Sequence, residues 1–170
     1  MIAKINQLKN KKGNIYLDTV IGFLVLTLMF VFILNTFTVV FNKQDIDYFS
    51  KEMAKIASVE GMVDKDIDFT TNPDTKFDNE AIEKRFEKLL SDTGFDKNKL
   101  SIKWEVDDSS RFNPSAATET ERRKVQYGEP LKVILTYDVE ITGVGSSAFN
   151  GNKASSYTAL SQIYWKATSE

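Results

Sequence analysis

Gly13-Asn-Ile-Tyr-Leu-Asp18, running straight into Thr19-Val-Ile-Gly-Phe-Leu-Val-Leu-Thr-Leu-Met-Phe-Val-Phe-Ile-Leu-Asn-Thr-Phe-Thr-Val-Val-Phe41, is the stretch from which the rest of the chain can be read. The 23 residues from Thr19 to Phe41 carry no charge and are dominated by Val, Leu, Ile and Phe. As a helix they measure about 35 Å, enough to cross a hydrocarbon layer of about 30 Å with modest tilt. A lone segment in lipid must satisfy its own backbone polar groups, so a helix is the conformation expected of it. Asp18 stands at its leading edge.

Four lysines (Lys4, Lys9, Lys11 and Lys12) precede the apolar run with no acid among them. Positive charge at this end of a first span keeps it cytoplasmic, so the C-terminal domain is expected outside the cell membrane. A secretory signal peptide has a shorter apolar core and small residues at its cut site. Here Val39, Val40, Phe41, Asn42 and Lys43 close the run, so the span is expected to stay in the mature protein. The absence of Cys excludes a lipid-modified cysteine and disulfides, and the absence of His removes the commonest general base and metal ligand.

The arrangement of Lys11, Lys12, Gly13 and Asp18 resembles the leader of a type IV prepilin. In that family basic residues precede a Gly, the prepilin peptidase cuts after it, and an acid stands fifth in the mature chain. The resemblance implies processing at Lys11, Lys12, Gly13 and Asn14, with Asn14 as the new N-terminus and Asp18 as its fifth residue. Asp18 stands where such families usually carry Glu, and Asn14 where they carry an apolar residue. A carboxylate at the edge of hydrocarbon is costly unless paired. In a pilin-like assembly Asp18 would pair with the α-amino group of a neighbouring subunit; in the alternative it lies hydrated among headgroups.

At 170 residues the chain suits one folded domain. The formal charge is −2, from 22 basic and 24 acidic residues, and loss of residues 1–13 would leave 18 basic groups and a charge of −6. An acidic ectodomain disfavours direct nucleic-acid binding, which selects Lys and Arg clusters. The organisation expected is a basic leader without a fold at 1–13, a transmembrane helix at 14–42, its extramembrane continuation at 43–63 and an α+β ectodomain at 64–170.

Within the span, Thr27, Thr36 and Thr38 are expected to bond back to their own helix, with Asn35 toward the outer interface. Beyond it, Ile46, Phe49, Met53, Ile56 and Val63 recur at heptad-like spacing, Glu60 interrupts and Gly61 loosens the end. One helix of roughly 45 residues is predicted, its outer half packed on the protein's own domain. Residues 64–76 read as a loop whose Asp64, Asp66 and Asp68 form a solvated turn, since a calcium loop needs a glycine and a distal glutamate that are missing here. Asp78 or Asn79 then caps a second helix with a buried face of Ile82, Phe86, Leu89 and Leu90, and Gly94 ends it.

Strand periodicity follows. Leu100, Ile102, Trp104 and Val106 alternate with polar residues; residues 107–123, with Pro114, read as a loop; Lys124 to Tyr127 read as a lead-in strand. Leu131, Val133, Leu135, Tyr137, Val139 and Ile141 mark the longest strand. Gly143 to Ser156 reads as a flexible loop and Tyr157 to Ala167 as the last strand. An antiparallel meander of three to four strands with one apolar face needs a cover, and the two helices supply it. The fold class expected is therefore α+β: a long N-terminal helix on a small antiparallel sheet, with one further helix.

This order, with Met53-Ala-Lys-Ile-Ala-Ser-Val-Glu-Gly61 and Leu160-Ser-Gln-Ile-Tyr-Trp-Lys166, resembles type IV pilins, more particularly TadE-like pseudopilins and a related group in Gram-positive bacteria. The resemblance implies a structural, non-catalytic subunit of a pilus, secretion or DNA-transfer apparatus without cofactors. Its implied partners are other pilin-like subunits, a prepilin peptidase, a platform protein and an assembly ATPase. A single-pass anchored extracellular protein that binds a partner without polymerising is the alternative. An enzyme has no support from motif spacing, because Ser146 and Ser147 in a Gly-rich loop lack a base.

Overall fold

The computed structural model describes residues 2–112, 118–141, 143 and 146–166, with side chains from Ile15 onward. Pro114, Gly145 and Ala167, which marked two loops and the end of the last strand, lie outside the described residues.

Helix α1 runs without interruption from Ile2 to Glu60. The stretch read as an unfolded leader is thus its first three turns, and the helix is 59 residues long rather than roughly 45. Residues 2–12 hold four Lys with one each of Ala, Gln and Leu, all strong helix formers, and the lone Gly13 costs only about 1 kcal/mol in a helix interior. Gly61 ends the helix rather than loosening it. Its φ of 64° is left-handed, and its N–H bonds to the Ser58 carbonyl while that of Met62 bonds to Ala57, which is a Schellman closure.

The chain continues through β1 (Ile67–Asp68), α2 (Glu80–Thr93), β2 (Leu100–Glu105), the single turn α3 (Glu119–Arg122), β3 (Pro130–Val139) and β4 (Gly151–Leu160). The four strands form an antiparallel meander in the order β1-β2-β3-β4. The fold is α+β, as the sequence predicts.

Helix α2 keeps the boundaries expected of it. The Asn79 side chain accepts from the N–H groups of Ala81 and Ile82, and Gly94 takes φ 70° at the far end. Ile82, Phe86 and Leu89 are buried, and Leu90 packs partly against the same core. Their burial contributes roughly 1.5 to 3 kcal/mol per large side chain, which holds a helix of this length that would be marginal alone.

The inner face of the sheet carries Leu100, Ile102 and Trp104 from β2 and Leu131, Val133 and Leu135 from β3, all buried. On β4 the residues facing Leu131, Val133 and Leu135 are Ala159, Tyr157 and Ser155. α1 packs on β3 and β4 on this face and against α2. Its buried stripe is Ile46, Phe49, Met53, Ala54 and Ala57, with Ile56 half-buried.

Three expectations are corrected. A short strand, β1, sits inside the segment read as a loop, because Ile67 pairs with Ile102 and Phe69 donates its N–H to the Leu100 carbonyl. Lys124 and Val125 form two isolated bridges instead of a lead-in strand. The last strand starts at Gly151 and stops at Leu160, so residues 151–156 belong to the sheet and 161–166 do not. Small residues hid β4: Ser155 and Ala159 face α1, and the hydroxyls of Ser50 and Ser155 meet at 3.1 Å. Close approach of a helix needs small side chains, which leave no hydrophobic alternation to read.

Candidate membrane and assembly segment

The first half of α1 holds every site residue the sequence nominates. Lys11, Lys12, Gly13 and Asn14 lie on continuous helical backbone, and Asp18 follows Asn14 by four positions, one turn along the same face. Asp18 is exposed and makes no ion pair among the described residues.

From Ile15 to Phe30 every side chain is exposed, including Leu17, Phe23, Leu26, Met29 and Phe30. The helix is long and apolar enough to cross a membrane, and none of that apolar window is buried by the rest of the chain. Thr19, Thr27, Thr36 and Thr38 donate their hydroxyls to the carbonyls four residues back at 2.8 to 3.0 Å. Their polar groups are thereby satisfied inside the helix, as a lipid environment requires.

The outward face changes character at Val31. Val31, Val39 and Asn42 are half-covered and Asn35 is buried, so Asn35 does not simply look toward the interface. The ring of Phe149, between β3 and β4, meets that of Phe32 at 5.4 Å. These contacts escaped the sequence reading, although a signal was present: Asn35, Val39 and Asn42 extend the spacing of Ile46, Phe49 and Met53 backwards in steps of four and three.

Below the span the carboxylates of the expected solvated turn each have a structural task. Asp64 is buried and accepts the backbone N–H groups of Asp78 and Asn79. Asp66 accepts from the Trp104 backbone N–H at 2.8 Å, and Asp68 from the backbone N–H and hydroxyl of Thr70. Arg123, also buried, reaches Asp64 at 3.5 Å, Glu119 at 2.7 Å and Asp78. Among the described residues no group of carboxylates is placed to hold a metal ion.

Hydrogen bonds from Lys65 and then Arg123 hold the Asp78 carboxyl below its ordinary range. Glu52, on α1, is lowered by Lys55 and, less strongly, by Arg85 of α2, against the opposing effect of burial. Both networks tie helix termini and helix pairs together, and Asp64, Asp78 and Arg123 also line a cavity of about 280 Å³ with Asn79 and Thr120. A groove of about 830 Å³ beside β4 is lined by Val59, Tyr127, Tyr157 and Leu160 among others.

Fold and segment together define an α+β head built on a helix whose apolar stretch from Ile15 to Phe30 the described residues leave uncovered. No family model, no curated protein and no solved structure matches the chain.

Proposed function

We propose that this chain is a pilin-like subunit of a type IV or Tad-like apparatus: a structural, single-pass membrane protein with its N-terminus cytoplasmic and its head outside. The observation that carries the reading is the continuity of α1. One rod runs from the basic N-terminal residues through the apolar segment into the core of the head. The uncovered face from Ile15 to Phe30 suits lipid before assembly and neighbouring copies of the same helix after it.

Lys11, Lys12 and Gly13 then present the Gly13–Asn14 bond to a prepilin peptidase. Cleavage frees an α-amino group at Asn14 that pairs with Asp18 of the adjacent subunit. That pair offsets the desolvation of both charges and sets the axial stagger between copies.

N-terminal sequencing of membrane-bound protein tests the reading. Asn14 is the expected first residue, and Gly13→Ala is expected to leave the chain full length. An intact Met1 in protein from cells that hold the peptidase overturns it.

The groove beside β4, with Tyr127 and Leu160 exposed on it, favours a second reading, an anchored extracellular protein that binds a partner without polymerising. Crosslinking through single cysteines in the span separates the two: a ladder of multimers belongs to the first, a monomer or one heterodimer to the second.

A further inference from the structure

The β3–β4 hairpin and α1 are two parallel rulers. Ser58 donates its hydroxyl to the Leu160 carbonyl at one end, and the rings of Phe32 and Phe149 meet at the other. The 26 residues of helix between Phe32 and Ser58 span about 39 Å, and the 11 residues between Phe149 and Leu160 span about 36 Å of extended chain. The hairpin therefore lies along the helix and reaches into its apolar run.

How far it reaches follows from the hydrocarbon thickness. With Asp18 kept at the inner edge, about 30 Å of hydrocarbon covers Thr19 to Thr38, and Phe32 lies about 9 Å inside the edge nearer the head. Sliding the helix until Phe32 clears the lipid would carry Asp18 about equally deep, and an ionised carboxylate tolerates that far less well than an uncharged loop.

The hairpin tip is built for such a place. From Ile141 to Asn152 the sequence has no charge, and the flanking residues are Glu140 and Lys153. Among the described residues of the tip the backbone bonds to itself: Ser146 N–H bonds to the Gly143 carbonyl, and Phe149 and Asn150 N–H both bond to that of Ser146. The Ile141 N–H bonds to Asn150 Oδ1 at 2.6 Å. Charges return as a collar just behind it, where Lys99 pairs with Glu140 at 2.7 Å.

We propose that residues 146–150 of the β3–β4 connection are a second membrane contact, seated at the headgroup–acyl boundary of the leaflet facing the head, with lipid as its occupant. Interfacial elements bury to about this depth, about 5 to 10 Å. The head is then held to the bilayer at two points, which limits the tilt of the rigid α1–head unit. The inference rests on the reading of α1 as a membrane span.

The chain contains no Cys, so single-cysteine variants label cleanly. Ser147→Cys at the tip, Leu26→Cys in the apolar run and Tyr164→Cys beyond the distal end of β4 are spin-labelled in the full chain in phospholipid vesicles. Accessibility to oxygen is compared with accessibility to a water-soluble nickel chelate. At Ser147 the oxygen-to-nickel ratio is expected to lie below that of Leu26, which is near mid-bilayer, and to exceed that of Tyr164 several-fold. A Ser147 label that behaves like Tyr164 overturns the proposal while leaving the span intact. A label shielded from both reagents also overturns it, since the tip would then be covered by another copy of the chain. A Leu26 label that favours nickel overturns the span itself.

Discussion

The indole N–H of Trp165 donates to the backbone carbonyl of Gly61 at 2.9 Å, joining positions 104 residues apart. The same carbonyl accepts the Val125 N–H at 2.9 Å, and Lys124 stands over the Trp165 ring at 4.7 Å. The tail after β4 thus crosses the end of α1 instead of extending the sheet, and the Gln162 N–H secures it to the Ser58 carbonyl. Helix end, bridge segment and C-terminal tail meet at one glycine.

Two glycines with left-handed backbone should respond differently to a methyl group. A Cβ on Gly61 would lie 2.4 Å from Ile163 Cβ, whereas one on Gly94 would meet nothing within 4 Å. Gly94→Ala should cost about 1 to 2 kcal/mol for backbone conformation alone. Gly61→Ala should cost roughly 2 to 4 kcal/mol, because the tail must also move. Urea unfolding of the full chain in micelles compares them, and equal losses would contradict the packing of the tail on Gly61.

Phe86 is central to an aromatic cluster, with Phe77 at 5.0 Å, Phe69 at 5.1 Å and Phe49 at 5.5 Å between ring centres. Phe86→Ala should destabilise the head by about 3 to 5 kcal/mol. Tyr164→Ala, at an exposed position, should stay within about 0.5 kcal/mol. Near-ultraviolet circular dichroism during thermal unfolding reads both.

Arg123 and Asp64 are both buried, so removing the cation leaves an uncompensated carboxylate. Arg123→Ala is expected to cost about 3 to 5 kcal/mol. Adding Asp64→Asn should recover part of the loss, because the amide oxygen still accepts the Asp78 and Asn79 N–H groups. A double variant as unstable as the sum of both single changes would deny the coupling.

Acid should loosen the head from the Asp78 and Glu52 networks. Both carboxyls titrate below their ordinary values of 3.8 and 4.5 when folded, so the unfolded chain binds protons first as pH falls. Their contribution is fully present above those ordinary values and is lost as pH drops through the lower folded ones. The thermal midpoint should therefore fall below about pH 4.5, and less steeply in the Asp78→Asn, Glu52→Gln double variant. An unchanged slope would place the acid sensitivity elsewhere.

Ser155 and Ser156 are neighbours on opposite faces of β4. Ser155 faces α1 at the Ser50 hydroxyl, while Ser156 is exposed. Ser155→Leu should cost about 1 to 3 kcal/mol by forcing the helix off the sheet, and Ser156→Leu much less. Comparable unfolding midpoints for the two variants would refute the close approach of α1.

What the sequence alone determined is what depends on neighbours a few positions away. The uncharged run, the cap and stop of α2 at Asn79 and Gly94, and the alternation through Leu100 to Trp104 and Leu131 to Val139 are local patterns. Helix and strand periodicities translate them directly into buried faces. The two-residue pairing of Ile67, the shift of β4 to Gly151, the burial of Asp64 beside Arg123 and the reach of Phe149 to Phe32 needed tertiary structure. Each depends on a partner distant in the chain, and each uses residues whose type permits several environments: a serine suits a loop or a tight helix contact, and an aspartate suits water or a buried arginine. Only the packing of elements distant in the chain chose between them.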